Sequence, residues 1–125
     1  MAGDAVIAAG FGFRASATAE SLADAFQKAG GGATMVATVA EKADQPAFID
    51  FADDIGISVR AIAPETLQTQ TTRTNSAVSL KAHGVGSVAE AAALAAAGPG
   101  ARLLGARAVS SDGMATCAIA KGAEA

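Results

Sequence analysis

The residues able to do chemistry gather at a few glycine-marked corners. Val6-Ile7-Ala8-Ala9-Gly10-Phe11-Gly12-Phe13-Arg14-Ala15 reads as an apolar strand running into a glycine-punctuated turn that carries an arginine. At the carboxyl end of a strand in an α/β sheet, such a corner faces a helix N-terminus. Backbone N–H groups and the helix dipole favour anions there. The same residues fit G-x-G-x-x-G/A, the spacing of a dinucleotide fingerprint. Glu41 follows the next strand-like segment, where a ribose-binding acid belongs, but later than the usual spacing of about 20 residues. The phenylalanines flanking Gly12 would crowd a pyrophosphate. The plainer reading of the motif is a tight strand-to-helix turn.

A second constellation is basic. Arg14 follows the first strand, Lys42 the second, and Arg107 a later one. Parallel strands bring their carboxyl ends to one rim, so Arg14 and Lys42 are expected as neighbours. With the helix starts at Thr18 and Ser87, these cations suit carboxylates or phosphates. Taken singly, each is a solvated loop charge. His83, beside Gly84 and Gly86, has the chemistry of a general acid/base or an axial metal ligand, or is a plain loop residue. His83 and Ser87 are the catalytic candidates, and no partner arrangement is visible for either. With one histidine, one cysteine and no ligand-spaced acidic pair, no metal site and no cofactor are expected. Cys117, inside Met114-Ala115-Thr116-Cys117-Ala118-Ile119-Ala120, reads as core. Asp53-Asp54 reads as a solvated helix face.

The elements that must position these residues alternate. Residues 4–9 form an apolar run, consistent with a buried strand. Thr18 caps a helix with Leu22, Ala25, Phe26 and Ala29 on one face, ended by Gly30-Gly31-Gly32. Residues 33–40 read as a strand. A helix follows Asp44-Gln45-Pro46, with Phe48, Phe51, Ala52 and Ile55 on its stripe and Gly56 at its end. Residues 57–62 read as a third strand, and Pro64-Glu65-Thr66-Leu67 as a short helical turn. The threonine-rich stretch 68–75 has no periodicity and reads as an exposed, mobile loop. A helical turn is expected over 76–82. Ser87-Val88-Ala89-Glu90 is a capping box opening an alanine-rich helix that ends at Gly98-Pro99-Gly100. Strands near 102–107 and 114–120 flank Ser110-Ser111-Asp112-Gly113, a hairpin signal. The pattern predicts one domain over residues 1–125. Its expected architecture is three-layer α/β/α, with a mostly parallel, mixed sheet of about five strands and a C-terminal hairpin.

Length and composition set the outer limits. The chain has 125 residues, enough for one core, and 51% hydrophobic residues, many of them alanine. Close helix–sheet packing is therefore expected. No apolar run approaches the roughly 20 residues of a membrane span. The start, Met1-Ala2-Gly3-Asp4, lacks the basic region of a signal peptide. A single cysteine fits a reducing, cytoplasmic setting. The net charge of -3 and the absence of Trp and Tyr argue against a nucleic-acid partner.

In four segments the chain resembles the CobE/CbiG C-terminal family of cobalamin biosynthesis. Gly10-Phe11-Gly12-Phe13-Arg14 is similar to its opening G-x-G-[CF]-R, with the helix start at Thr18-Ala19-Glu20. Residues 38–44, Thr-Val-Ala-Glu-Lys-Ala-Asp, are similar to T-x-x-x-K-x-[DE]. Residues 84–94 are similar to G-V-x-S-V-A-E-A-A-A-L, and 116–120 to a T-x-A-I-A ending. The chain departs from the family at Ser16, often glycine, and at Gln45, often glutamate. It also departs at Arg107, often lysine, and lacks a proline between Asn75 and Ser76. It shows no counterpart of the larger N-terminal region of CbiG proteins. The resemblance implies a role in corrin-ring assembly and a ligand fringed by carboxylates, a precorrin or related tetrapyrrole. The implied binding residues are Gly10, Gly12, Arg14, Thr18, Lys42, Gly84, Gly86, Ser87 and Arg107, with the threonine-rich loop folding over the ligand. A carrier or accessory role, with other cobalamin-pathway enzymes as partners, is the leading expectation. The alternatives are a hydrolase acting on a lactone or side chain of a precorrin, and a nucleotide-binding half-domain.

Overall fold

The computed structural model describes residues 6–123; the expected start of the first strand at residues 4–5 and the N-terminal segment 1–4 lie outside them. The first strand, β1, runs from Ile7 to Phe13. Strand geometry sends alternate side chains to opposite faces. Ala9 and Phe11 therefore join one core and Ala8 another.

On the first face lie α1 (Ala19–Ala29) and α2 (Pro46–Ile55). Their stripes bury Leu22, Ala25, Phe26, Phe48, Phe51 and Ala52, together with Val36 and Cys117 of the sheet. Four phenylalanines converge here, with the Phe11 ring 5.1 Å from Phe51 and 5.7 Å from Phe48. On the other face, α3 (Pro64–Gln68) and α5 (Val88–Ala97) cover the sheet, and α4 (Ala77–His83) leads into α5. Six of the eight buried residues of α5 are alanine or valine on the sheet-facing and flanking positions, so the helix lies close to the strands.

The sheet has six strands in the order β3-β2-β1-β6-β4, with β5 also paired to β6. Here β2 is Met35–Val39, β3 Ser58–Ile62, β4 Arg102–Leu103, β5 Ala108–Val109 and β6 Ala115–Lys121. The pairs β1–β2 and β2–β3 are parallel, while β6 runs against β1, β4 and β5. The sheet is thus mixed, with one reversed strand, and the late hairpin forms across Ser110–Met114. The fourth strand, expected over 102–107, is shorter than predicted: only Arg102–Leu103 is strand, and a separate β5 follows at Ala108–Val109. Leu104 N–H still donates to the Ile119 carbonyl at 2.9 Å, but Arg107 N–H turns away to a carboxylate of α5.

The hairpin is fastened to α1 from both sides: Asp24 and Lys28 of α1 hold the Ser111 N–H and Oγ, each at 2.6 Å, and Asp112 of the hairpin reaches back to Ser21. Asp112 accepts from Ser110 Oγ at 2.6 Å, Ser21 Oγ at 2.6 Å and the Met114 N–H at 3.0 Å. These bonds favour the ionised form and draw its pKa from 3.8 down to about 2, with Ser110 the largest cause. A depressed folded-state pKa gives stability that is present above the ordinary value and lost as pH falls through the folded one. Wild type should therefore lose thermal stability relative to Asp112→Asn as pH falls from about 4 toward about 2. Parallel thermal melts of the two proteins across that window check this; a constant gap between them would refute it.

Candidate functional site

At one rim of the sheet, the carboxyl end of β1 meets the end of α4 and the β5–β6 hairpin. A cleft of about 340 Å³ opens there, lined by Gly12, Arg14, His83, Val88, Arg107 and Met114, among others. Arg14 takes its place because β1 stops pairing with β6 at Phe13, while its own N–H donates to the Met114 carbonyl at 2.9 Å. Arg107 joins the lining from the turn before β5. His83 is the last residue of α4, and its Nδ1 lies 4.0 Å from Glu41 Oε1, in the single 3-10 turn after β2. Val88, Val109 and Met114 give the lining its apolar part.

The rim assembles Gly12, Arg14, His83 and Arg107, and it distributes the other expected residues elsewhere. Lys42 reaches the same rim from the opposite face of the sheet. Its Nζ donates to the Phe13 carbonyl at 3.1 Å and lies 5.2 Å over the Phe13 ring. Thr18 caps α1 in a reciprocal box with Ser21 and lines a different groove. That groove, about 800 Å³, is bordered by Glu20, Asp50, Asp53 and Asp54. Its charge repels carboxylate ligands, so its greater size does not make it the anion site.

The glycines are largely structural, which corrects the turn reading of the opening motif. β1 continues through Gly10 and Gly12 to Phe13, so no phosphate-cradling loop forms between them. A Cβ on Gly10 would strike the Ala89 carbonyl oxygen and the Ala93 nitrogen of α5. Gly10 is where helix and strand come closest, and the dinucleotide fingerprint is a coincidence of spacing. Gly84 ends α4 with φ +72°, a left-handed position suited to glycine. Gly86 is buried under the threonine-rich segment: a Cβ there would strike the Thr74 carbonyl and come 2.8 Å from Thr72 Oγ1. Ser87 is fully buried, and its Oγ accepts the Glu90 N–H at 3.2 Å as the cap of α5. It is therefore not presented to the cleft.

The threonine-rich stretch is also placed differently from the free loop expected. Thr74 gives both its N–H and its Oγ1 to the Glu90 carboxylate, and Arg73 donates to the Leu103 carbonyl at 3.3 Å. Glu90 was legible only as the last residue of a capping box. Its side chain does not return to Ser87, and it is fully buried. The overlooked signal is a lone acid in an otherwise apolar helix, Val88 to Ala97.

Cys117 lies in the core, and burial pushes its thiol pKa up, away from reactivity. Among the described residues, no three His, Cys, Asp or Glu side chains cluster as metal ligands, and no helix is long and apolar enough to cross a membrane.

Fold and rim together define a small α/β domain with a cationic cleft. The family model described as Cobalamin synthesis G C-terminus matches residues 7–120, and the chain belongs to that family. A crystal structure of CobE, a protein from the cobalamin (vitamin B12) biosynthetic pathway, is similar at a TM-score of 0.84 and 30% identity, covering 100% of this chain and 96% of that one. The crystal structure of the cobalamin biosynthesis protein chiG from Agrobacterium tumefaciens str. C58 is similar at a TM-score of 0.73 and 34% identity, covering 95% of this chain and 100% of that one. No curated protein sequence matches significantly. The chain is a cobalamin-biosynthesis protein by family.

Proposed function

We propose that the domain binds a precorrin or related tetrapyrrole intermediate, as a carrier or accessory factor in the cytoplasm. The observation that carries this reading is one cleft lined by both Arg14 and Arg107 together with the apolar side chains of Val88, Val109 and Met114. A precorrin is a flat apolar macrocycle with acetate and propionate groups around its edge. Guanidinium groups bind carboxylates through strong, charge-assisted hydrogen bonds. Ligand sites run to about 300–1,000 Å³, and this cleft lies at the small end. It suits one edge of the macrocycle, with the remainder left exposed for transfer to another pathway enzyme.

Anaerobic mixing with each precorrin intermediate, followed by co-elution, absorbance and mass, tests the reading. The expected result is an intermediate that co-elutes with unchanged mass. Arg14→Glu/Arg107→Glu should then weaken binding by at least about a hundredfold, the loss of two charge-assisted contacts. Unchanged affinity in that variant would refute the rim assignment.

A hydrolase acting on the bound intermediate is the second reading, favoured by the Glu41 carboxylate beside His83 Nδ1. On closing from 4.0 Å to hydrogen-bond distance, that carboxylate would orient the imidazole and leave Nε2 to accept a proton from water. A bound intermediate that emerges with altered mass, and a loss of that change in His83→Gln, would establish it.

A further inference from the structure

We infer that Glu90 is a positioning residue: its buried carboxylate clasps the threonine-rich segment to the Arg107 backbone and thereby holds both walls of the cleft. Its consequence for ligand binding rests on the reading proposed above.

The contacts are complete and specific. Oε1 accepts the Thr74 N–H at 2.7 Å. Oε2 accepts Thr74 Oγ1 at 2.9 Å and the Arg107 N–H at 2.9 Å. The side chain is 0% exposed, and no cation neutralises it among the described residues. A charge buried without a counter-ion is costly unless its lone pairs are served by hydrogen bonds. Here three donors serve them, two of them backbone N–H groups, and the first turn of α5 adds its favourable dipole.

The helix does not need this side chain. Ser87 caps α5 through the Glu90 backbone N–H, a bond that any residue at position 90 would make. The carboxylate is bonded only to the two loops. The chain after Thr74 supplies Ser76 and Ser79 to the cleft lining, and the chain at Arg107 supplies Arg107 and Val109; these two segments are its walls. The first wall is tied down again by Ser76 N–H to the Gly86 carbonyl at 2.8 Å and Ser79 Oγ to the Val85 carbonyl at 2.6 Å. The Arg107 wall has only the Glu90 bond before β5 pairing resumes at Ala108.

Glutamine has the right size and the wrong chemistry. Whichever way its amide turns, its NH₂ faces a backbone N–H, of Thr74 or of Arg107. One wall is released while the volume stays filled.

Amide hydrogen exchange on the free protein tests the clasp without a ligand. In Glu90→Gln, exchange at Thr74 or Arg107 should rise by about tenfold, the worth of one buried hydrogen bond, while β1 and β6 keep their protection. Unchanged protection at both amides, or a loss spread equally over β1 and β6, would overturn the inference. If Glu90→Gln does not fold, Thr74→Val removes one donor and leaves the charge in place. It should raise exchange over 72–76 selectively, and an unchanged or uniformly raised pattern would again overturn the inference. Uroporphyrin III, a tetrapyrrole octacarboxylate, then serves as the binding probe. Glu90→Gln should bind it about tenfold more weakly than wild type. When exchange shows the Arg107 amide to be the one released, Arg107→Ala should weaken wild type but add little to Glu90→Gln, since the first change then already acts through Arg107. Additive losses would then overturn the positioning role. Failure of wild type to bind the probe would count against the proposed function, with the exchange data still deciding the clasp.

Discussion

Gly10→Ala should destabilise the domain by about 3 kcal/mol, the upper end of the cost of overpacking a core. The added methyl meets backbone on both sides, the Ala89 carbonyl and the Ala93 nitrogen, and backbone cannot move aside as a side chain can. Relief would require α5 to lift from β1, opening gaps along its alanine-covered face. Gly12→Ala is the natural control. Its methyl would meet Thr116 Oγ1 at 3.0 Å and Val88 Cβ at 3.4 Å, both side-chain atoms. That variant should lose about 1 kcal/mol or less. Urea unfolding followed by far-ultraviolet circular dichroism separates the two, and suits a chain without Trp or Tyr. Equal midpoints for the two variants would contradict the close approach of helix and strand.

Phe11→Ala should cost about 3–5 kcal/mol, the range for emptying a buried aromatic site. Phe11 is fully buried, and its ring touches those of Phe26, Phe48 and Phe51, drawn from two helices. Those partners are held by their own helices and cannot collapse into the space. Phe11→Leu keeps most of the volume and should lose much less, under about 1.5 kcal/mol. The same unfolding measurements check the pair. An alanine variant no weaker than the leucine variant would show that the ring cluster closes over the gap.

The fold was readable because its signals are local. Thr18, Gly30, Pro46, Gly56 and Ser87 mark helix ends that the structure reproduces, and Asp112-Gly113 marks the hairpin. The reversed strand followed from that hairpin. The site was less readable because its geometry depends on which face of the sheet each residue meets. Lys42 and Arg14 share a rim, but the sheet separates them, and no spacing in the sequence carries that fact. Gly10 and Gly12 resemble a phosphate turn in spacing alone; their role is set by α5, almost eighty positions later in the chain. Glu90 is the sharpest case. A capping box and a buried clasp call for the same residue types at 87 and 90, and only the position of Thr74 and Arg107 tells them apart.

The place of β6 in the sheet also bears on how the protein is made. This strand, Ala115–Lys121, lies between β1 and β4, and its register joins Ile7 to Lys121. While the ribosome is still synthesising residues before 115, β1 has only β2 beside it, and the apolar face of α5 has half a sheet to rest on. The domain therefore completes its folding after these residues emerge, through contacts far apart in sequence, a topology that slows folding relative to helical bundles. During that interval the nascent chain carries a half-covered alanine-rich helix and an open strand edge, the kind of surface that chaperones shield.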